Sequence, residues 1–113
     1  MWRPLLLLLL LAGCSKGPQA DLQYIKQARS AGAEWALVNE QAGSGRLTSV
    51  YVASMHQWLR DELRTASASL TQPESPYGIE IQVLLRQPDD APPEELRAHS
   101  GRLKLIEDSL ESA

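Results

Sequence analysis

Cysteine is nearly absent from the sequence, because Cys14 is the only one among 113 residues. A single thiol excludes an intramolecular disulfide. Basic residues are also few: 11 Lys and Arg stand against 14 Asp and Glu, and they form no polybasic cluster. Nucleic-acid binding requires clustered basic side chains, so we expect no nucleic-acid partner.

Histidine occurs only twice, as His56 and His99, which leaves few side chains for acid–base chemistry. Glu95 and His99 are four residues apart and could face one metal ion, but zinc sites take three or four protein ligands. No third candidate lies nearby in sequence, so we interpret the two as an ordinary surface pair. The sequence predicts no catalytic residue, no metal site and no cofactor.

Long apolar runs are missing except near the amino terminus, where leucines from Leu5 onward follow Arg3. Crossing a bilayer takes about 20 mostly apolar residues, and this run covers only the eight residues 5–12. A basic start, a short apolar core and the small residues Ala12 and Gly13 are the three parts of a signal peptide. Residues 1–13 are therefore predicted to be removed.

The segment Leu11-Ala12-Gly13-Cys14 resembles the lipobox of bacterial lipoproteins. The resemblance covers about the first fifteen residues and implies that the Cys14 thiol receives diacylglycerol. It also implies that the chain is cut before Cys14, which becomes the acylated first residue. Two or three acyl chains would hold the protein on a membrane permanently, whereas one myristoyl chain holds only reversibly.

The mature chain would contain 100 residues, from Cys14 to Ala113. Its net charge would be -4, because the removed segment takes away one basic residue and no acidic residue. In many Gram-negative bacteria an aspartate after the acylated cysteine retains a lipoprotein in the inner membrane. Ser15 stands there instead, which implies the outer membrane, facing the periplasm. Residues 14–19 are predicted to form a tether of about 17 Å at most, followed by a domain over 20–113.

Apolar residues recur at steps of three and four in four segments, which is the period of an amphipathic helix. The predicted helices are 20–42, 49–70, 76–87 and a C-terminal one that begins at the prolines 92–93. Thr48 and Ser75 are the predicted N-caps. Residues 79–85 also alternate as a strand would, but an isolated strand has nothing to pair with, so helix is favoured there. The fold class is therefore all-α, a small bundle of three long helices and one short helix.

Two aromatic residues stand beside the apolar stripe of the second predicted helix. Tyr51 and Trp58 are seven residues apart, so they share one side of that helix. They could form the edge of the core or a surface for a protein partner.

The function expected from the sequence is a non-catalytic structural or protein-interaction component of the cell envelope. The alternative is a lipoprotein that inhibits, excludes or escorts another secreted protein. A small hydrolase is a third hypothesis, and it predicts that replacing His56 or His99 abolishes an activity. Neither the partner nor the oligomeric state follows from the sequence.

Overall fold

The computed structural model describes residues 17–113, which form four α-helices. These are α1 (Pro18–Gly43), α2 (Ser49–Ser69), α3 (Pro76–Leu85) and α4 (Pro93–Glu111). The predicted all-α bundle is confirmed, and residues 79–85 lie in a helix. The predicted signal peptide and Cys14 lie outside the described residues. Within residues 17–113, no helix is both long enough and apolar enough to cross a membrane.

Helix α1 is the centre of the bundle, because it packs along both α2 and α4. Helix α3 packs against the other three helices. Gly32 permits a close approach, since a Cβ there would lie 3.2 Å from Leu84 Cδ1 and 3.3 Å from Ser100 Cβ. Glycine at position 32 therefore lets α3 and α4 pack close to the middle of α1.

The core consists mainly of apolar residues that recur at helical spacing in α1, α2 and α4. In α3 the buried aliphatic residues are Ile81 and Leu84, whereas Ile79, which the helical spacing placed on the apolar face, is 57% exposed. Trp35 is the largest fully buried side chain of the core. Each helix contributes buried residues to it. They include Ile25, Ala28, Trp35, Leu59, Leu63, Ala66, Ile81, Leu84, Leu96 and Leu103. Val52, Met55, Ile106 and Leu110 pack against this core while partly exposed. Burial of these apolar residues is the main favourable contribution to folding.

The helix starts follow the predicted capping chemistry. Thr48 Oγ1 accepts the Tyr51 N–H at 3.2 Å, and Ser75 Oγ accepts the Gly78 N–H at 3.2 Å. Both N-cap predictions are confirmed. Gly78 is also required for packing, because a Cβ there would lie 2.2 Å from the Pro73 carbonyl oxygen. Only a residue without a side chain fits where the α2–α3 loop crosses α3.

Candidate functional site

A buried carboxylate holds the end of the bundle at which α1 begins. Asp21 is fully buried and accepts the backbone N–H groups of Thr71 at 2.8 Å and Gln72 at 3.1 Å. The Tyr77 hydroxyl donates a third hydrogen bond to Asp21 Oδ2, at 2.6 Å. One side chain of α1 thereby fixes the α2–α3 loop and the first turn of α3. We call these four residues the Asp21 network.

The ionisation of the Asp21 network follows from these hydrogen bonds. Burial raises the pKa of Asp21, but the hydrogen bonds from Tyr77, Thr71 and Gln72 outweigh burial and leave that pKa below its ordinary value. The pKa of Tyr77 is raised, first by burial and then by the hydrogen bond that it donates to Asp21. Asp21 is therefore an ionised acceptor at neutral pH.

The chain enters the bundle at Gly17, which is fixed to the same loop. The Thr71 hydroxyl accepts the Gly17 N–H at 3.2 Å and donates to the Gly17 carbonyl at 3.4 Å. Gly17 has a φ of 91°, a left-handed conformation that glycine adopts without strain. Helix α1 begins directly after it, at Pro18, two residues earlier than the pattern predicts. The predicted tether 14–19 is therefore too long at its C-terminal end, because residues 18 and 19 belong to α1.

The Arg60 side chain holds the C-terminal end of α3, opposite the end that the Asp21 network holds. Arg60 of α2 donates to the carbonyl oxygens of Leu85 and Gln87, and its Nε lies 2.7 Å from Asp89 Oδ1. Its guanidinium carbon stacks 4.7 Å from the centroid of the Trp35 ring. Trp35 Nε1 donates to the Asp89 carbonyl at 3.0 Å. The charge of Arg60 thus meets the carbonyl end of a helix, where a cation is favourable.

The proton of His56 can be placed from its neighbours. Asn39 Nδ2 donates to the carbonyl oxygens of Asp89 and Ala91, both at 2.9 Å. This orientation turns Asn39 Oδ1 toward His56 Nε2, at 2.7 Å. Because a carbonyl oxygen can only accept, Nε2 is the donor in this arrangement, and Nδ1 takes no part in the bond. Among residues 17–113, the hydrogen bond found for this ring goes to Asn39 and not to a hydroxyl nucleophile.

A shallow groove runs past His56 between the start of α2 and the α3–α4 loop. Its volume is about 590 Å³. Leu47, Val52 and Ala53 give it an apolar wall. Arg60 and Asp89 line the other side, already paired with each other. The groove, which we call the His56 groove, offers an apolar contact surface together with a histidine.

The predicted pairing of Glu95 with His99 is not formed. His99 instead contacts Glu80 of α3, with Nδ1 3.2 Å from a carboxylate oxygen, and Arg102 of its own helix at 2.7 Å. Arg102 also forms an ion pair with Glu80. Because α3 packs on α4, His99 meets Glu80, which is 19 residues away in sequence, while Glu95 remains exposed. Spacing within one helix could not predict this partner.

Near the C-terminus, three acidic side chains lie close enough together to face one cation: Glu107, Asp108 and Glu111. Each already has a basic partner. Glu107 is buried and accepts from Arg29 at 2.9 Å, Lys104 pairs with Asp108 at 2.7 Å, and Lys26 pairs with Glu111 at 2.8 Å. Burial raises the pKa of Glu107, but Arg29 and Lys104 outweigh it and leave that pKa lowered. The cluster is accounted for by ion pairs between α1 and α4 and within α4.

The outer side of α2 exposes the aromatic residues that the sequence analysis singled out. Tyr51 and Trp58 are 50% and 51% exposed, and Val50 is 76% exposed. Ser54 lies between them on the same side and is also exposed. We call Val50, Tyr51, Ser54 and Trp58 the α2 outer face. It is separate from the His56 groove.

The chain matches no protein-family model and has no significant match among the curated proteins or the solved structures.

Several residues that organise the bundle were missed by sequence reasoning. Asp21, Arg60 and Glu107 appear in the sequence as ordinary charged residues of amphipathic helices. Apart from Lys104, which lies three residues before Glu107, their partners are between 25 and 78 residues away. The available signal was position, because Asp21 lies four residues before Ile25 on the apolar stripe of α1, and Glu107 lies four residues after Leu103 on the apolar stripe of α4.

Proposed function

We propose that this chain is a lipid-anchored component of the cell envelope that acts through protein contacts rather than catalysis. The observation that carries the proposal is the lipobox-like segment ending at Cys14, the sole cysteine. The proposed attachment is to the outer membrane, on its periplasmic side. The all-α bundle with an exposed aromatic face supports an interaction role, because exposed apolar patches commonly mark protein contacts.

Because Gly17 is fixed to the bundle, only the segment from Cys14 to Gly17 separates the proposed lipid anchor from the folded domain. Even fully extended, the chain from Cys14 to Gly17 spans about 10 Å. Thr71 holds Gly17 at the end of the bundle that contains the Asp21 network. In the proposed anchored protein, this end of the bundle therefore stays close to the lipid headgroups.

Intact mass and membrane fractionation test the anchoring. The native chain and Cys14→Ala are expressed in a Gram-negative host, and the outer membrane is separated from the inner membrane. We expect a native mass that corresponds to residues 14–113 plus diacylglycerol and acyl chains, located in the outer-membrane fraction. The substituted chain should be uncut and unacylated. A native chain without lipid would overturn the proposal.

The His56 groove favours a second candidate, an inhibitor, exclusion factor or escort of another secreted protein. Its apolar wall could receive an apolar segment of a target. This candidate predicts a monomer that loses target binding when Ala53, an exposed residue of the groove, is replaced by Asp, with Val50→Asp on the α2 outer face as the matched control. Affinity capture from periplasmic extract followed by titration of the purified target would measure both variants.

A further inference from the structure

The exposed side of α2 carries no charge over its first three turns. From Ser49 to Trp58, every exposed residue of this helix is uncharged. The water-facing side of a helix ordinarily carries charged residues. On α4, by contrast, exposed Leu105 stands directly beside Lys104 and follows Arg102 closely. The first half of α2 therefore resembles a contact surface more than a solvated one.

Charges of opposite sign stand at the two ends of this uncharged stretch. Arg46 lies in the α1–α2 loop, three residues before α2 begins, and Asp61 lies on α2, seven residues after Ser54. Arg46 is exposed and has no ion-pair partner within residues 17–113. Asp61 pairs only with Arg64 on its own helix, among the residues that the structure describes, and both side chains are 61% exposed. Such an exposed pair is weak and can exchange partners.

We propose that a second copy of this chain covers the α2 outer face, with the two α2 helices antiparallel and a two-fold axis beside Ser54. An antiparallel register around Ser54 brings the start of α2, which Arg46 precedes in the loop, alongside Asp61 of the partner subunit. It also places Trp58 beside Val50 of the partner subunit. A parallel arrangement would instead bring like charges together at both ends. Ser54 has the smallest side chain of the face, which lets the two helix axes approach closely.

Two-fold symmetry makes the contact self-complementary, so each Arg46–Asp61 pair occurs twice. The two-fold arrangement is also compatible with a lipid anchor on each copy. A two-fold axis leaves symmetry-related atoms at equal heights along itself, so both Gly17 residues lie at the same distance from a bilayer that is perpendicular to the axis. This inference rests on the proposed function, because it names the partner of the interaction surface.

Sedimentation equilibrium of an unacylated chain tests the dimer. Residues 14–113 carrying Cys14→Ser contain all the described contacts and cannot be acylated. We expect a concentration-dependent monomer–dimer equilibrium. Arg46→Glu and Asp61→Arg should each raise the dissociation constant about tenfold, and the double variant should restore it. Arg86→Glu and Asp90→Arg, at exposed positions away from the face, are the matched controls.

The outcomes separate this inference from the proposed function. A monomer at all concentrations, or a double variant that fails to restore the dimer, would overturn the antiparallel contact while leaving acylation at Cys14 untouched. Trp58→Glu provides a second variant that should also give a monomer, with Leu105→Glu as its control. Circular dichroism and thermal unfolding of every variant establish that the bundle is folded. Restoration by the charge swap cannot come from a general loss of folding.

Discussion

The two ends of the short helix α3 are held in opposite ways. At its N-terminal end, the Asp21 carboxylate accepts hydrogen bonds from the backbone N–H groups of the α2–α3 loop. At its C-terminal end, the Arg60 guanidinium donates to backbone carbonyls. Free N–H groups collect at the start of a helix and free carbonyls at its end. Asp21 itself lies in the first turn of α1, and Arg60 meets the last carbonyls of α3, so the anion stands at the start of one helix and the cation at the end of another, where the helix dipoles favour them.

The two ends also differ in exposure, which determines what each contact contributes. Asp21 is fully buried and Tyr77 is 4% exposed, so the Tyr77 hydroxyl would have little access to water without Asp21. The Arg60 side chain is 18% exposed, and Asp89 is more exposed still. A hydrogen bond lost where water can enter costs less than one lost in the interior. The comparison therefore predicts that the Asp21 end is the more sensitive to substitution.

The largest expected effect is that of Gly78→Ala. The added Cβ would lie 2.2 Å from the Pro73 carbonyl oxygen, which is backbone and cannot rotate away. We expect a loss of about 3 kcal/mol or more in the free energy of unfolding. Urea denaturation followed by circular dichroism measures it. Gly101→Ala is the control, because within the described chain a Cβ there meets nothing within 4 Å beyond its chain neighbours and the nearby backbone of its own helix. Equal stability of the two variants would contradict the close approach at Gly78.

The second largest effect is expected for Asp21→Ala, which should lower the free energy of unfolding by about 2–3 kcal/mol. It leaves the N–H groups of Thr71 and Gln72 without their acceptor, and it leaves the Tyr77 hydroxyl only Gln72 Oε1, at 3.3 Å. Urea denaturation again gives the value, with exposed Asp90→Ala as the matched control. If Asp21→Ala costs no more than its control, the network does not hold α3.

Arg60→Met should cost about 1–2 kcal/mol, less than Asp21→Ala. Methionine keeps much of the aliphatic stem, so the change reports mainly on the guanidinium, its stacking on Trp35 and its hydrogen bonds. Arg64→Met, one turn further along α2 and exposed, is the control. A larger loss for Arg60→Met than for Asp21→Ala would reverse the comparison between the two ends.

The pH dependence of stability should give the smallest effect. Asp21 and Glu107 have lowered pKa values in the folded chain. Each therefore contributes stability that is fully present above its unfolded pKa, near 4, and is lost as pH falls through the lower folded pKa. Thermal unfolding from pH 6 to pH 2 should show falling stability below about pH 4. Asp21→Asn should make this slope shallower, and an unchanged slope would show that Asp21 does not contribute to it.

The helices could be predicted from the sequence because a helical stripe is a local pattern. Val52 to Leu70 repeats at steps of three and four, and the caps Thr48 and Ser75 stand just before the helices that they start. The contacts that join the helices could not be predicted in this way. Asp21 and Tyr77 are 56 residues apart, and Arg29 and Glu107 are 78 residues apart. No spacing within one helix encodes such a partner, which is why His99 was paired with the wrong glutamate.

The two hydrogen bonds between Gly17 and the Thr71 hydroxyl affect how a pulling force enters the bundle. In an anchored chain, any pull between the membrane and a bound partner enters the bundle at Gly17. The Thr71 hydroxyl, which both accepts from and donates to Gly17, shares that tension with the α2–α3 loop. The load is therefore divided between α1 and the loop before it reaches the core, so the first turn of α1 does not have to resist unwinding alone.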